Sequence, residues 1–143
     1  MKKIILPTIL AMYTLILSGQ GVIGSWDDHL PYSRSEGVAA GPGKIYSSTG
    51  YAVLVHDTGS GTNSSLSRIS GLTETSVALV AWCEAEESLI IVYRSAGIDI
   101  VRKGVITSIP DIKNKYIPGI KEIYGANVSG SRLLLSSSFG IVV

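Results

Sequence analysis

The amino-acid sequence predicts an all-β fold, a partial β-propeller of about 2.5–3 blades, each a four-stranded antiparallel sheet. The first observation is an internal repeat: three similar segments, residues 45–55, 89–101 and 133–143, begin 44 residues apart. Each segment has an apolar run, then a small or polar stretch with a glycine, then a β-branched run. A repeat of about 40 to 50 residues built from short strands is typical of propeller blades.

The second observation is a series of short apolar runs without helical periodicity, which favours strands. Residues 77–82 and 89–93 are continuously apolar rather than alternating, which predicts strands that are buried on both faces, as in stacked propeller sheets. A β-sandwich is the alternative, but its strands would alternate more. Because closed propellers have about 4 to 8 blades, we expect an N-terminal piece of a larger protein, with exposed apolar faces, an open edge and a tendency to aggregate.

The N-terminus predicts a secretory signal peptide over residues 1–24, with a signal helix. Lys2 and Lys3 precede an uncharged apolar run at residues 4–17, which is too short to cross a ~30 Å hydrocarbon core comfortably. Cleavage is expected after Gly21 or Gly24, and residues 25–143 are expected to form an incomplete N-terminal β-propeller domain. An uncleaved membrane anchor is the alternative, whereas the missing cysteine after the apolar run excludes lipid attachment.

Strands are expected wherever an apolar or β-branched run lies between turn residues. In chain order they are residues 38–40, 44–48, 51–56, 66–69, 77–82, 89–93, 98–102, 105–109, 120–124, 133–136 and 141–143. The Gly-Pro-Gly run at 41–43 separates the first two, because glycine and proline interrupt strands. Residues 57–65 are interpreted as a polar loop, residues 84–88 as an acidic hairpin connection and residues 111–118 as a longer loop.

Charge and cysteine content exclude several classes of protein. The chain has 12 basic and 11 acidic residues, without a basic stripe, so nothing favours nucleic-acid binding. Cys83 is the one cysteine, and it is interpreted as a small buried residue on a strand because it has no partner for an internal disulfide. Stability is therefore expected to come from packing.

Catalytic, metal-binding and cofactor-binding residues are not predicted. His29 and His56 are the two histidines, and no serine elbow or nucleophile pattern accompanies them. Asp27, Asp28 and Asp57 lack the spacing of a calcium loop and are interpreted as solvated carboxylates. Asp99, between two isoleucines, is expected to be a buried acid that accepts hydrogen bonds from turn amides, and a carboxylate on the exposed face of the strand is the alternative.

The most concentrated basic residues are the candidate contacts for an anionic ligand, such as a glycan or a lipid phosphate. They are Arg94, Arg102, Lys103, Lys113 and Lys115. Ordinary surface charge is the alternative interpretation.

Several motifs resemble those of a known family. Residues 26–32 (WDDHLPY) resemble the W-x-x-H-L-P-Y opening of the PorZ-like proteins, two-propeller surface proteins of the Bacteroidetes type IX secretion system. Further similar segments follow in the same order: residues 44–46 (KIY), 67–72 (SRISGL), 89–100 (LIIVYRSAGIDI), 109–113 (IPDIK) and 138–143 (SFGIVV). The resemblance covers essentially the whole exported part, although the family continues for hundreds of residues beyond this length.

The resemblance implies a non-enzymatic propeller that serves as a scaffold and binding module in type IX secretion, without a cofactor. It implies an exported protein of the outer membrane, cell surface or periplasm. Its implied partners are the attachment-complex proteins, including a sortase-like protease, and anionic lipopolysaccharide that the family helps deliver to that sortase. The alternatives are the ligand-sensing propeller of a hybrid two-component regulator, which would bind a carbohydrate, and an exported lyase or glycosidase.

Overall fold

Three antiparallel sheets, each a meander of consecutive strands, make up this computed structural model, which describes residues 29–143. Sheet 1 contains β1 (Gly37–Gly41), β2 (Lys44–Ser48), β3 (Val53–Asp57) and β4 (Asn63–Leu66). Sheet 2 contains β5 (Val77–Cys83), β6 (Ser88–Tyr93), β7 (Ile98–Arg102) and β8 (Val105–Ile109). Sheet 3 contains β9 (Ile123–Ser129), β10 (Arg132–Ser137) and β11 (Gly140–Val142). The predicted all-β partial propeller is confirmed. The signal peptide, its helix and cleavage site, and Trp26, Asp27 and Asp28 lie outside the described residues.

The internal repeat corresponds to one hairpin in each sheet. The three similar segments fall on β2–β3, β6–β7 and β10–β11, which are the second and third strands of their sheets. The predicted bounds of β2, β7 and β8 agree with those of the structure.

Three expected elements differ from the structure. Residues 66–69 were predicted as a strand, but the strand is Asn63–Leu66, within the expected polar loop, because an outer strand can pair through its backbone while its side chains face water. The strand predicted at 120–124 is Ile123–Ser129, in which small and polar residues occupy one face. The connection after β8 contains a short helix, α1 (Asp111–Asn114), where only a loop was expected.

Sheet 2 lies between the other two sheets, so both of its faces are covered. On β6 the side chains alternate between two clusters: Leu89, Ile91 and Tyr93 pack toward sheet 1, whereas Ile90 and Val92 pack toward sheet 3. All six residues of β6 are therefore buried. The expectation that the continuously apolar run at 89–93 is buried on both faces is confirmed.

The first strand of each sheet contacts the first strand of its neighbour. β1 packs on β5, and β5 packs on β9. These strands line the inner side of the stack, as the innermost strands of propeller blades do. The sheets share two ends, which we call the upper end (turns and connections 49–52, 67–76, 94–97, 110–122 and 138–139) and the lower end (42–43, 58–62, 84–87, 103–104 and 130–131).

Trp82 joins sheets 1 and 2 near the lower end. Its ring lies against Gly41 so closely that a Cβ on Gly41 would be 2.7 Å from a ring atom. The ring also stacks on Tyr46, with 5.7 Å between centroids and 8° between planes. Glycine at position 41 therefore lets the indole pack directly on the backbone of β1.

The outer sheets each leave one apolar face uncovered, as the sequence predicted. Val38 on sheet 1 is 62% exposed and Ile141 on sheet 3 is 78% exposed. No further strand among residues 29–143 pairs with the outer edge of β11. Within the same residues, no helix is long and apolar enough to cross a membrane.

Candidate functional site

A cleft of about 530 Å³ opens at the upper end between sheets 1 and 2. Four separate stretches form it: the chain before β1, the β2–β3 turn, the end of the β4–β5 connection and the β6–β7 turn. Its polar and aromatic lining comprises Ser33, Arg34, Glu36, Thr49, Tyr51, Thr75, Ser76 and Arg94. Two cations, one carboxylate and several hydroxyl groups thus surround one concave surface.

Glu36 organises the charges of the cleft. Its carboxylate accepts a hydrogen bond of 2.5 Å from Nη2 of Arg94 and lies 3.6 Å from Nη2 of Arg34. The Glu36 side chain is only 19% exposed, whereas those of Arg94 and Arg34 are 59% and 79% exposed. The two guanidinium groups are therefore oriented by one carboxylate and still present donors to the solvent.

Gly50 makes room for Glu36. Its φ of +83° is a conformation that side-chain-bearing residues rarely adopt, and a Cβ there would lie 3.1 Å from Oε1 of Glu36. The β2–β3 turn then places Tyr51 at the rim of the cleft, with its side chain exposed. An exposed aromatic ring beside hydroxyl groups offers a flat apolar surface and polar contacts to the same ligand.

A buried polar network supports the turn that carries Arg94. The carboxylate of Asp99, fully buried, accepts hydrogen bonds from the backbone N–H and the hydroxyl of Thr73, both 2.8 Å, and from the Tyr93 hydroxyl at 2.5 Å. Burial, followed by the neighbouring Asp99 carboxylate, raises the pKa of Tyr93 above its usual range. The expectation that Asp99 is a buried acid bonded to a turn amide is confirmed.

Backbone contacts fix the same turn. The Arg94 N–H donates to the carbonyl of Ser76 at 2.9 Å, and the Tyr93 N–H donates to Gly97 at 2.9 Å. Glu74 accepts hydrogen bonds from the Ser95 hydroxyl and pairs with Nζ of Lys113 at 3.0 Å. The turn is thus held from both sides, which keeps Arg94 directed at the cleft.

The five basic residues singled out from the sequence do not form one patch. Arg94, Lys113 and Lys115 are at the upper end, whereas Arg102 and Lys103 are at the lower end. Three of the five are paired with carboxylates: Arg94 with Glu36, Lys113 with Glu74 and Arg102 with Glu86. Lys115 lines a different, mainly apolar cavity of about 440 Å³ beside α1. Of the five, only Arg94 lines the cleft.

Sequence reasoning missed Arg34, Glu36 and Tyr51 as members of a site. These residues lie in turns and loops that carry no recognisable motif, and Arg94 is 58 residues from Glu36 along the chain. The one sequence signal that pointed here was the glycine-bearing turn of each repeat, which places residues at the same end of every sheet.

Three further residues weighed in the sequence, His56, Asp57 and Cys83, have structural partners, whereas His29 is exposed. His56 Nδ1 is 2.8 Å from the Asn63 side-chain oxygen across β3 and β4. Asp57 accepts hydrogen bonds from the N–H groups of Gly59 and Ser60, and the bonds from Ser60 are the main reason that its pKa is lowered. In residues 29–143 no three His, Cys, Asp or Glu side chains come together as metal ligands would. Cys83 is buried, as expected, and its thiol points to the Gly130 carbonyl.

Comparison with known proteins gives two matches. The family described as "TSS9, PorZ, N-terminal beta-propeller domain" matches residues 45–143. Among solved structures, the chain is similar to that of PorZ from Porphyromonas gingivalis, which is described as an essential bacterial surface component of the type-IX secretion system, with 28% identity and a TM-score of 0.71. The similarity covers 75% of this chain but only 15% of that one. No curated protein matches the chain.

Proposed function

Because this chain belongs to the family of PorZ N-terminal β-propeller domains, we propose that it is a non-enzymatic scaffold and binding module of a type IX secretion component. In this proposal the protein is exported and acts at the outer membrane, on the cell surface or in the periplasm. Its partners are attachment-complex proteins, and its ligand is an anionic lipopolysaccharide that it helps bring to the sortase. The family match favours this role over the sensor propeller of a two-component regulator.

The presence of the upper cleft is the single observation that supports the binding role. Its lining combines guanidinium groups, hydroxyl groups and an exposed tyrosine ring. Guanidinium groups bind phosphates and carboxylates through paired hydrogen bonds, and such bonds are stronger than those between neutral groups. The hydroxyl groups and the ring suit the polar and apolar faces of a sugar.

The pairing with Glu36 leaves the two arginines able to bind an anion. One carboxylate satisfies only part of the five donors that each guanidinium carries. Both side chains are more than half exposed, so a phosphate could contact them without displacing Glu36. We assign the first contact to Arg94. Lys113 and Lys115 lie at the same end and would extend the contact to a polymer, whereas Arg102 and Lys103 fall outside this site.

Arg94→Gln tests this assignment. Loss of a charge-assisted pair to a phosphate should weaken binding of purified anionic lipopolysaccharide about ten- to a hundredfold, since such a bond is worth about 1.5–3 kcal/mol. The affinity is measured by surface plasmon resonance, at two salt concentrations, on the chain fused to a carrier protein that keeps it in solution. Affinity of the unaltered chain should fall as salt rises.

Arg102→Gln is the matched control, because it makes the same chemical change at the lower end, where Arg102 pairs with Glu86. This variant should bind like the unaltered chain. Equal losses of affinity in the two variants would show that binding is general charge attraction. Unchanged affinity in both variants would show that the cleft is not the binding site.

A further inference from the structure

A second groove, of about 260 Å³, lies between sheets 1 and 2 at the lower end, opposite the proposed glycan cleft. The stacked rings of Tyr46 and Trp82 form part of its wall. Its apolar lining comes from both sheets: Val55, Leu66, Leu89 and Val101. The volume is just under the usual range for drug-sized ligands, about 300–1,000 Å³, so the groove suits a small molecule.

Both signs of charge occur in the lining of this groove, on Lys44, Glu87 and Lys103. Lys44 lies beside Asp57, whose pKa it helps to lower. In the described part of the chain, no ion pair involves Glu87 or Lys103. Within residues 29–143 no ion pair involves Lys44 either, so two ammonium groups and one carboxylate line the apolar groove without a salt-bridge partner.

Glu87 and Lys103 also have unusual backbone conformations. Their φ angles are +45° and +49°, in the left-handed region that asparagine and glycine adopt more easily. Lys103 and Gly104 form the two-residue turn between β7 and β8, for which Asn-Gly is the favoured pair. Residues kept in such conformations cluster at functional sites. Glu87 and Lys103 are thus placed in the groove lining against local backbone preference.

We propose that this groove binds a free apolar α-amino acid. The carboxylate of the ligand would contact the ammonium of Lys103, its ammonium would contact the carboxylate of Glu87, and its side chain would lie against the apolar lining. The lining has both signs of charge, as a zwitterion has, whereas a simple anion would meet Glu87. This binding is separate from the proposed function, because the groove and the cleft are at opposite ends of the same two sheets.

The fluorescence of Trp82 provides a direct test. The chain has two tryptophans, so Trp26→Phe leaves Trp82 as the only one. This variant, fused to a carrier protein without tryptophan so that it stays in solution, is titrated with L-phenylalanine. A saturable change in Trp82 emission is expected. Lys103→Asn should weaken the affinity at least about tenfold and leave the melting temperature the same or higher, because asparagine tolerates the left-handed conformation.

Two controls separate this site from a general effect. Lys115→Asn makes the same chemical change at the upper end and should bind L-phenylalanine as before. N-acetyl-L-phenylalanine amide lacks both charges and should not bind at comparable concentrations. The proposal is overturned by the absence of a saturable response, by unchanged affinity in Lys103→Asn, or by equally tight binding of the uncharged analogue. None of these outcomes affects the lipopolysaccharide experiment.

Discussion

Asp99 stabilises the local structure beside the upper cleft through buried hydrogen bonds. It accepts hydrogen bonds from Thr73 and Tyr93 and is fully buried, so its carboxylate receives from protein groups the hydrogen bonds that water would otherwise provide. The sequence predicted this role because Asp99 stands between two isoleucines of a strand. It did not identify Tyr93 as a partner, since an antiparallel hairpin brings the two together only after it has formed.

Tyr93→Phe should remove part of the dependence of stability on alkaline pH. The pKa of Tyr93 is raised in the folded chain above its ordinary value of 10.0, so the folded state keeps the phenol protonated when the unfolded state ionises. The stabilisation is complete below pH 10 and is lost as the pH rises above that value. The free energy of unfolding, measured in urea from pH 8 to 11, should therefore fall less steeply in the variant.

Tyr116→Phe is the control for this measurement, because the Tyr116 side chain is 89% exposed. Its profile should follow that of the unaltered chain. At neutral pH, Tyr93→Phe should also lower the free energy of unfolding by about 1.5–3 kcal/mol, since the lost hydrogen bond is to a charged group. Parallel profiles for the unaltered chain and Tyr93→Phe would contradict the burial of this phenol.

Gly41 and Trp82 show how the sequence determines the packing of sheet 1 on sheet 2. Trp82 belongs to β5 but covers the backbone of β1 and stacks on Tyr46 of β2. Its indole N–H donates to Glu84 at 2.7 Å, so the polar edge of the ring has a partner. One side chain thus joins three strands of two sheets.

Gly41→Ala should destabilise the chain by about 1–3 kcal/mol, as expected when a well-packed contact is overfilled. The added Cβ would be 2.7 Å from the Trp82 ring, so the two sheets would have to separate. Gly37→Ala, at the other end of β1, is the matched control, since its Cβ would make only an ordinary 3.4 Å contact with Ser48. Urea unfolding checks both variants, and similar stabilities for the two would contradict the close packing.

The strands were predictable to different degrees, for physical reasons. β2, β6, β7 and β8 have apolar or β-branched runs bounded by turn residues, so their signal is local. β4 and β9 contain many small or polar side chains and are strands because a neighbouring backbone pairs with them. The upper cleft is harder still to predict, because its residues come from four loops that only the stacking of the sheets brings together.

In the whole molecule, three sheets pack in a row, and the middle sheet is covered on both faces. This arrangement follows from the continuously apolar strands of sheet 2, and it explains why the outer sheets expose Val38 and Ile141. The expected tendency to aggregate stays a prediction, based on those faces and on the outer edge of β11.

Hydrogen exchange followed by mass spectrometry on the purified chain tests this arrangement most directly. β6 is paired on both edges and covered on both faces, so its amides should exchange more slowly than those of any other described strand. Strands at sheet edges, above all β4 and β11, should exchange early. Protection of β11 as strong as that of β6 would contradict this arrangement. It would require that the outer edge and face of β11 are covered, whereas the structure exposes both to solvent.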